Sequence, residues 1–284
     1  MKFFLAGSKG MLASDLLPLL KTRGEVITGD LPDFDITDLD SSRRTLHEAR
    51  PDVVINCAAY TAVDKAEEEK ERAYAVNGRG AGNLALICRD IRSKLIHIST
   101  DFVFDGKNNR PYVEDAGVNP LSVYGSSKLA GEALVSESSD ENLTIRTSWL
   151  FGLHGNNFVK TIMRLAGERE ELGIVFDQTG TPTYTKDLAE AILNLIDSEA
   201  RGIYHFSNEG VCSWYDFAYA VIENMRRKGH PIKLKRLNPI RTEDYPLPAE
   251  RPAYSVLDKG KYKKLTSKNI PHWSEGLKQY FNEK

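Results

Sequence analysis

A tyrosine and a lysine four residues apart, Tyr124 and Lys128, have the types and the spacing of a group that protonates a carbonyl oxygen. Residues four apart lie on one face of a helix. A free phenol has a pKa of about 10 and holds its proton too tightly near neutral pH, but a neighbouring ammonium lowers that pKa. The phenol then becomes a general acid for a developing alkoxide. Thr100 offers a hydroxyl that holds the same oxygen.

The spacing alone does not distinguish a catalytic pair from an ordinary surface helix. It recurs at Tyr280 and Lys284, and an amphipathic helix whose lysine reaches to solvent produces it as well. The elements before Tyr124 therefore carry the argument, because they determine what lies beside the phenol.

A glycine loop joins the first predicted strand, residues 3–6, to a helix. The loop has the pattern Gly7-x-x-Gly10-x-x-Ala13, and its glycines let backbone N–H groups approach a phosphate at the helix N-terminus. Ala13 is small enough for the close helix–strand contact that a third glycine usually makes. Pro18 is expected to kink or shorten the helix. The alternative is an ordinary strand–turn–helix.

An acidic residue, Asp30, follows the second predicted strand, residues 25–29. A carboxylate at this place accepts hydrogen bonds from the adenosine ribose hydroxyls of a dinucleotide, and it repels a 2′-phosphate. No arginine follows within the next several residues, so NADH is expected to bind at least as well as NADPH. The alternative is an aspartate that only forms the turn before Pro32.

Three further apolar runs, residues 53–59, 94–99 and 143–147, alternate with helical segments and read as strands buried on both faces. The predicted fold class is α/β, with a Rossmann-type doubly wound parallel sheet and helices on both faces. In such sheets, ligands bind outside the carboxyl ends of the strands. The residues predicted at these ends are Gly7, Asp30, Ala58, Ala59 and Thr100.

The strand–helix alternation changes after Phe151, where a basic amphipathic helix and a proline-rich stretch rich in aromatics appear. Residues 1–150 are predicted to form a dinucleotide-binding domain, with roughly residues 173–200 packing back on it. Residues 151–172 and 201–284 are predicted to form a smaller substrate-binding lid. The proline-rich stretch, residues 239–252, reads as a loop folded over a site.

The composition excludes several classes of partner. The net charge is −2, with acids and bases interspersed, so no basic field for nucleic acid or an anionic membrane is expected. No apolar run approaches the roughly 20 residues of a membrane span, and the apolar N-terminal run is too short for a signal peptide. Three widely spaced cysteines indicate free thiols in a reducing compartment. We therefore expect a soluble cytoplasmic protein without a metal site, and a homodimer is the assembly that we keep open.

Three motifs together resemble those of the extended short-chain dehydrogenase/reductase family. The glycine loop from Gly7, the triplet Ser99-Thr100-Asp101 and the Tyr124–Lys128 pair match that family in order and context. The resemblance covers nearly the whole chain. Further matching stretches are residues 51–56, 61–67, 119–121, 124–132, 146–149, 155–158 and 251–252.

Within that family the chain is most similar to members that reduce the 4-keto group of dTDP-4-dehydro-β-L-rhamnose to give dTDP-L-rhamnose. The resemblance implies NADPH or NADH as cofactor, a dTDP-keto sugar as substrate, and catalytic roles for Tyr124, Lys128 and Thr100. The cofactor contacts that it implies are Gly10, Met11, Leu12, Asp30, Asp35, Ile36, Ala59, Tyr60, Thr61, Tyr124 and Lys128. The sugar contacts that it implies are Thr100, Asp101, Tyr124 and Trp149.

Two residues near the predicted sugar site have alternative interpretations. Trp149 follows a strand, so it either fills the core or forms a platform on which a ring stacks. Arg251 is expected to face the nucleotide-sugar as a partner for the diphosphate, and the alternative is a surface ion pair.

The chain departs from the family pattern at three places. Ala13 replaces a frequent glycine, and Tyr60 stands where the family often has histidine. Related nucleotide-sugar dehydratases carry an acid pair after the threonine, whereas Phe102 follows Asp101 here. The base for water elimination is therefore missing, which favours simple reduction.

Two other functions remain alternatives on the same scaffold. One is a different nucleotide-sugar 4-keto reductase or epimerase. The other is a non-catalytic cofactor-binding subunit like the regulatory subunit of methionine adenosyltransferase.

Overall fold

In the computed structural model, which describes residues 1–284, six parallel strands form one central sheet. The strands of the molecule are β1 (Lys2–Ala6), β2 (Glu25–Gly29), β3 (Val53–Asn56), β4 (Lys94–Thr100), β5 (Leu143–Thr147), β6 (Leu150–Phe151), β7 (Glu171–Val175), β8 (Thr179–Gly180), β9 (Thr183–Tyr184), β10 (Gly202–His205), β11 (Cys212–Ser213) and β12 (Arg236–Ile240). The central sheet has the order β10-β5-β4-β3-β1-β2. Each neighbouring pair in it is parallel, which confirms the predicted α/β class.

Helices cover both faces of this sheet. The helices are α1 (Met11–Lys21), α2 (Leu39–Ala49), α3 (Val63–Ala66), α4 (Lys70–Ala73), α5 (Ala81–Ile91), α6 (Val123–Ser138), α7 (Phe158–Glu168), α8 (Thr185–Asp197), α9 (Trp214–Arg227), α10 (Gly260–Thr266) and α11 (Trp273–Glu283). Side chains of β1 alternate between the two faces: Phe3 and Leu5 pack in one apolar cluster with α1 and α8, while Phe4 packs in the other with α2 and α5. Burial on both faces explains why β1 and β3 are almost wholly apolar.

Two helices contribute to the site: α6 carries Tyr124, and α1 follows the glycine loop. The Ser122 hydroxyl accepts a hydrogen bond from Gly125 N and caps α6, as expected for serine at an N-cap. Helix α1 continues past Pro18 to Lys21, so the expected shortening of that helix is wrong.

The segment between β3 and β4 is not the single long helix that its sequence suggests. It consists of α3, α4, a π-helical segment (Tyr74–Gly80) and α5. Wide π-helical turns occur frequently at functional sites, and this one contains Asn77, whose side chain reaches the loop after β3. The hydrophobic pattern of the segment is helical in either case, which is why the sequence does not reveal the interruption.

One element lies outside the domain in which the sequence analysis places it. Strand β10, within the stretch 201–284 that is predicted to be lid, pairs with β5 as the edge of the central sheet. Its Tyr204 and the following Phe206 belong to the same apolar cluster as Phe3. A four-residue strand after a loop carries no signal for the sheet that it joins, because sheet membership depends on tertiary pairing.

The remaining short strands form three small pairs beside the central sheet: β6 with β9, β7 with β12, and β8 with β11. A second apolar cluster joins them to α7, α9 and α11. No helix of the chain combines the length and the apolar character that crossing a bilayer requires.

Candidate active site

The carboxyl ends of the central strands bring the glycine loop and the predicted catalytic residues to one edge. Gly7 has a positive φ of 71°, and a Cβ at Gly7 would lie 2.5 Å from Ala58 N in the loop after β3. Only glycine satisfies both constraints. No side chain caps α1 at Gly10, so the first N–H groups of that helix are available to a phosphate. The loop therefore fits a dinucleotide.

The side chain of Asp30 binds the backbone of the glycine loop. The carboxylate accepts hydrogen bonds from Lys9 N at 2.7 Å and from Leu31 N at 2.8 Å. The Lys9 ammonium lies 2.7 Å from the Leu31 carbonyl oxygen. One carboxylate and one ammonium thus stand together at the place expected for the adenosine ribose.

Two other predicted cofactor residues differ in accessibility. Asp35 is half-buried and accepts hydrogen bonds from the backbone and hydroxyl of Thr37. Ile36 is buried in the apolar cluster of Phe4, and its side chain packs where a Cβ at Gly80 would collide.

Asn77 holds the loop after β3, residues 58–61, against the helix that carries Tyr124. Its Oδ1 accepts from Tyr60 N at 2.8 Å, and its Nδ2 donates to Tyr60 O and to Ser127 Oγ at 3.0 Å each. The Ser127 hydroxyl in turn donates to Tyr124 O at 2.8 Å. Asn77 is 1 % exposed and its bond to Ser127 is buried, so its amide fixes the spacing between loop and helix.

The predicted catalytic residues Thr100 and Tyr124 are together at the end of β4. Burial raises the pKa of the Tyr124 phenol to about 12, and the neighbouring Thr100 side chain opposes that rise. The Thr100 hydroxyl lies 3.1 Å from Asp101 Oδ1, to which it donates. The phenol ring stands edge-on to Phe102, with ring centroids 5.5 Å apart. Tyr124 is thus protonated at neutral pH, as a general acid must be.

Lys128 does not lower the pKa of Tyr124 in this structure, contrary to expectation. Its Nζ donates to the Ile98 carbonyl oxygen at 2.6 Å and lies 3.4 Å from His97 Nε2. The Lys128 Nζ is thereby directed to the backbone of β4, and the charge that acts on the phenol is that of Asp101, which raises the pKa of Tyr124. Burial lowers the pKa of Lys128 itself to about 8.

Asp101 is a buried carboxylate beside this pair. It is 2 % exposed, and its Oδ2 has no hydrogen-bond partner. Burial raises the pKa of Asp101 to about 6, although hydrogen bonds from Ser255 and Thr100 oppose the rise. A partnerless oxygen of this kind is available to a hydroxyl group of a ligand.

A cavity of 840 Å³ opens next to Phe102 and Ser255, between the sheet edge and the smaller strand pairs. Trp149 lines it and stacks on Trp214, with ring centroids 3.5 Å apart and an interplanar angle of 6°. Both interpretations of Trp149 therefore apply, because it packs on another aromatic ring and also forms part of the cavity wall. The proline-rich stretch after residue 245 closes one side of the cavity.

Arg251 also lines the cavity, but its guanidinium is already paired. Nη1 and Nη2 donate to the two carboxylate oxygens of Asp64 at 3.0 and 2.8 Å, and Nη1 donates to Ala249 O. The structure thus shows the ion-pair alternative, with both partners partly buried. A contact of Arg251 with a diphosphate stays a prediction.

Sequence reasoning missed Asn77, His97, Trp214 and Ser255. Asn77 and His97 lie in runs that read as helix and strand core, so no local pattern distinguishes them. Trp214 and Ser255 come from the second half of the chain and reach the site only through tertiary folding. No group of three or more His, Cys, Asp or Glu side chains is close enough to hold a metal ion.

A doubly wound parallel sheet with a glycine loop after β1 and a Tyr–Lys pair at the same edge is the arrangement of a short-chain, dinucleotide-dependent reductase. The model of the RmlD substrate binding domain family matches residues 1–284. The chain belongs to that family.

Known relatives match over nearly their full length. A spore coat polysaccharide biosynthesis protein, SpsK, from Bacillus subtilis is 42% identical over 286 residues, covering 100% of this chain and 98% of the relative. A dTDP-4-dehydrorhamnose reductase from Aggregatibacter actinomycetemcomitans is 40% identical, covering 98% and 97%. Among solved structures, the dTDP-4-dehydrorhamnose reductase of Bacillus anthracis in complex with NADP has a TM-score of 0.94 and 38% identity, covering 100% and 99%.

Proposed function

We propose that this protein reduces the 4-keto group of dTDP-4-dehydro-β-L-rhamnose to give dTDP-L-rhamnose, using NADPH or NADH. The observation that carries the proposal is the grouping of Thr100, Tyr124 and Asp101 next to Phe102, which lines the cavity, in a chain that matches the reductase family from end to end. A bound nicotinamide supplies the hydride.

The proton in this reaction comes from Tyr124. As the keto oxygen gains negative charge, the phenol delivers its proton, and Thr100 donates a second hydrogen bond to the same oxygen. The raised pKa of Tyr124 keeps the proton on the phenol until the charge develops. Asp101 orients the sugar through its free Oδ2, and Lys128 holds the cofactor ribose.

The cofactor lies along the carboxyl edge of the sheet in this proposal. Its diphosphate meets the glycine loop, its adenosine ribose meets Asp30, and the loop after β3 faces its middle. The proposed contacts are Gly7, Gly10, Met11, Leu12, Asp30, Asp35, Ile36, Ala58, Ala59, Tyr60, Thr61, Tyr124 and Lys128. Because the Ile36 side chain is buried, its contact is assigned to the backbone.

The substrate occupies the cavity, with Trp149 against the sugar and Arg251 near the diphosphate. The lid is proposed as residues 151–172 and 201–284, apart from strand β10 and from Phe206, Tyr262 and Ile270, which pack in the core of the central sheet. The three cysteines are free thiols, as expected for a reducing cytoplasm, which is the location that we propose. A homodimer is the proposed assembly.

The decisive experiment measures oxidation of NADH and NADPH against a panel of dTDP-4-keto sugars. Turnover of dTDP-4-dehydro-β-L-rhamnose above the other sugars is expected. Faster turnover of a different 4-keto sugar would transfer the proposal to that substrate. Cofactor binding without turnover of any sugar would instead favour the non-catalytic subunit.

The variant Tyr124→Phe tests the role of the phenol, because it removes only the hydroxyl group. The turnover number should fall by about 10²–10⁴-fold, the contribution of a positioned general acid, while the dissociation constant for NADH stays unchanged. Thr100→Val should cost less, since one neutral hydrogen bond contributes about 0.5–1.5 kcal/mol. If Tyr124→Phe keeps more than about a tenth of turnover with chemistry rate-limiting, Tyr124 is not the acid.

A further inference from the structure

A buried histidine on β4, His97, connects the cofactor loop to Lys128. Its ring is 0 % exposed. Asn56 Nδ2 lies 3.2 Å from His97 Nδ1, and Lys128 Nζ lies 3.4 Å from His97 Nε2. Asn56 in turn contacts the loop after β3, because Ala58 N donates to Asn56 Oδ1 at 3.1 Å. These bonds form a chain from Ala58 through Asn56 and His97 to Lys128.

The backbone of Ala58 determines the direction of every bond in this chain. A backbone N–H is only a donor, so the atom of Asn56 that it contacts is the oxygen. The amide nitrogen of Asn56 then faces His97 Nδ1 and donates to it. A neutral imidazole that accepts at one nitrogen carries its hydrogen on the other. His97 therefore presents an Nε2–H group to Lys128.

An ammonium cannot accept that hydrogen bond. A protonated lysine has three donors and no acceptor, so Nε2–H and an Nζ–H would face each other. A neutral amine accepts from Nε2–H and still donates to the Ile98 carbonyl oxygen. An imidazolium would add a second conflict at Asn56, and burial holds the pKa of His97 well below its usual value.

The other groups that face Lys128 do not reverse this preference. Glu132, one turn further along α6, favours the ammonium but is bound bidentately by Arg146. Cys57, at the end of β3, stays a neutral thiol because burial raises its pKa to about 12. Burial of Lys128 itself also disfavours its charge.

We propose that His97 is a positioning residue, which donates its Nε2–H to Lys128 and thereby favours the neutral amine of Lys128 in the free protein. The proposal rests on the proposed function only in taking Lys128 as a residue of the reductase site. His97, on β4, then sets the protonation state in which Lys128 binds the cofactor. Cofactor affinity therefore depends on pH near neutrality.

The tautomer of His97 is the first test, and it needs no cofactor or substrate. Long-range ¹H–¹⁵N spectra of protein labelled in its histidines distinguish the Nε2–H tautomer, the Nδ1–H tautomer and the imidazolium. Loss of one signal set in His97→Gln assigns the residue. A neutral Nε2–H tautomer at pH 7 is expected. An Nδ1–H tautomer or an imidazolium would overturn the proposal.

The second test follows the titration of Lys128 in protein labelled at lysine Cε, with Lys128→Met to assign the signal. His97→Gln lets an amide oxygen turn to the ammonium, and His97→Phe removes the N–H at similar volume. Both variants should raise the titration midpoint by about one pH unit or more. His47→Gln, on the outer helix α2, is the matched control and should leave it unchanged.

An unchanged midpoint in folded His97→Gln and His97→Phe would show that His97 does not set the protonation of Lys128. Circular dichroism and the unfolding temperature report whether each variant is folded. Because both measurements use the free protein, their failure would leave the sugar assay untouched. A failed sugar assay would likewise leave these measurements valid.

Discussion

Asp101 sits in an environment that favours its protonated form, with one carboxylate oxygen lacking a partner. Its pKa is about 6, above the ordinary 3.8. A carboxyl whose folded-state pKa is raised contributes stability that is complete below pH 4 and is lost as the pH rises through 6. A shift of this size corresponds to about 2–3 kcal/mol.

Asp101→Asn should therefore stabilise the protein against urea at pH 7.5, because the amide stays neutral. The gain in the free energy of unfolding over the wild type should be about 2–3 kcal/mol larger at pH 7.5 than at pH 4. Comparing the two proteins at each pH cancels the other titrating groups. An equal difference in the free energy of unfolding between the two proteins at both pH values would mean that burial does not raise the pKa of Asp101.

Cofactor choice depends on two opposite charges at the ribose end of the site, Asp30 and Lys9. Repulsion between the carboxylate and a 2′-phosphate should cost about 1–2 kcal/mol when partly screened, so NADH should bind at least as well as NADPH. Lys9→Gln should weaken NADPH up to about fivefold, the strength of an exposed ion pair, and leave NADH unchanged. Fluorescence titration gives both dissociation constants.

Two results would contradict this account of the ribose end. If the wild type bound NADPH ten times more tightly than NADH, Asp30 would not have the role of repelling the 2′-phosphate. Equal losses for both cofactors in Lys9→Gln would point to a change in the glycine loop rather than to the lysine charge.

At the scale of elements, the Arg251–Asp64 ion pair ties the proline-rich stretch to helix α3, directly after the cofactor loop. Arg251→Ala should raise the Michaelis constant for the sugar and leave NADH affinity unchanged. Asp64→Asn separates two reasons for that effect. An equal rise would show that Arg251 acts by holding the stretch in place, whereas little change would show that Arg251 contacts the diphosphate itself.

Trp149→Ala provides the matched comparison at another residue that lines the same cavity. It should raise the Michaelis constant for the sugar whatever the role of Arg251, because stacking on Trp214 holds it at the cavity surface. A parallel loss of NADH affinity in either variant would indicate a folding defect.

The elements that sequence could predict are those whose signal is local. Gly7 has the positive φ that its place between strand and helix requires, and parallel strands place their carboxyl ends together by topology alone. The π-helical turn at Asn77 and the route of Lys128 to the Ile98 carbonyl depend on neighbours far along the chain. Local patterns contain no information about such contacts.

At the scale of the whole molecule, the central sheet is completed only by residues beyond 200. Strand β10, Phe206, Tyr262 and Ile270 complete one face of its core. Burial of a large apolar side chain contributes roughly 1.5–3 kcal/mol, so losing three of them removes an amount comparable with the whole stability of a domain, about 5–15 kcal/mol. The predicted boundary at residue 201 therefore divides a single cooperative core.

A fragment of residues 1–200 should consequently lack a cooperative thermal transition in circular dichroism. A fragment of residues 1–210, which retains β10 and Phe206, is the matched control and should have more ordered structure. A sharp transition of the shorter fragment at the temperature of the full chain would show that residues 1–200 fold independently.

The late arrival of β10 also has a consequence during synthesis. The ribosome releases β5 more than fifty residues before the strand that pairs with its outer side. All five residues of β5 are buried in the finished fold, so its open edge presents unpaired N–H and C=O groups beside the apolar side chains of Leu143 and Ile145. While residues 148–202 are being translated, the nascent chain is most exposed to pairing with the wrong strand. A chaperone that shields strand edges would act in that interval.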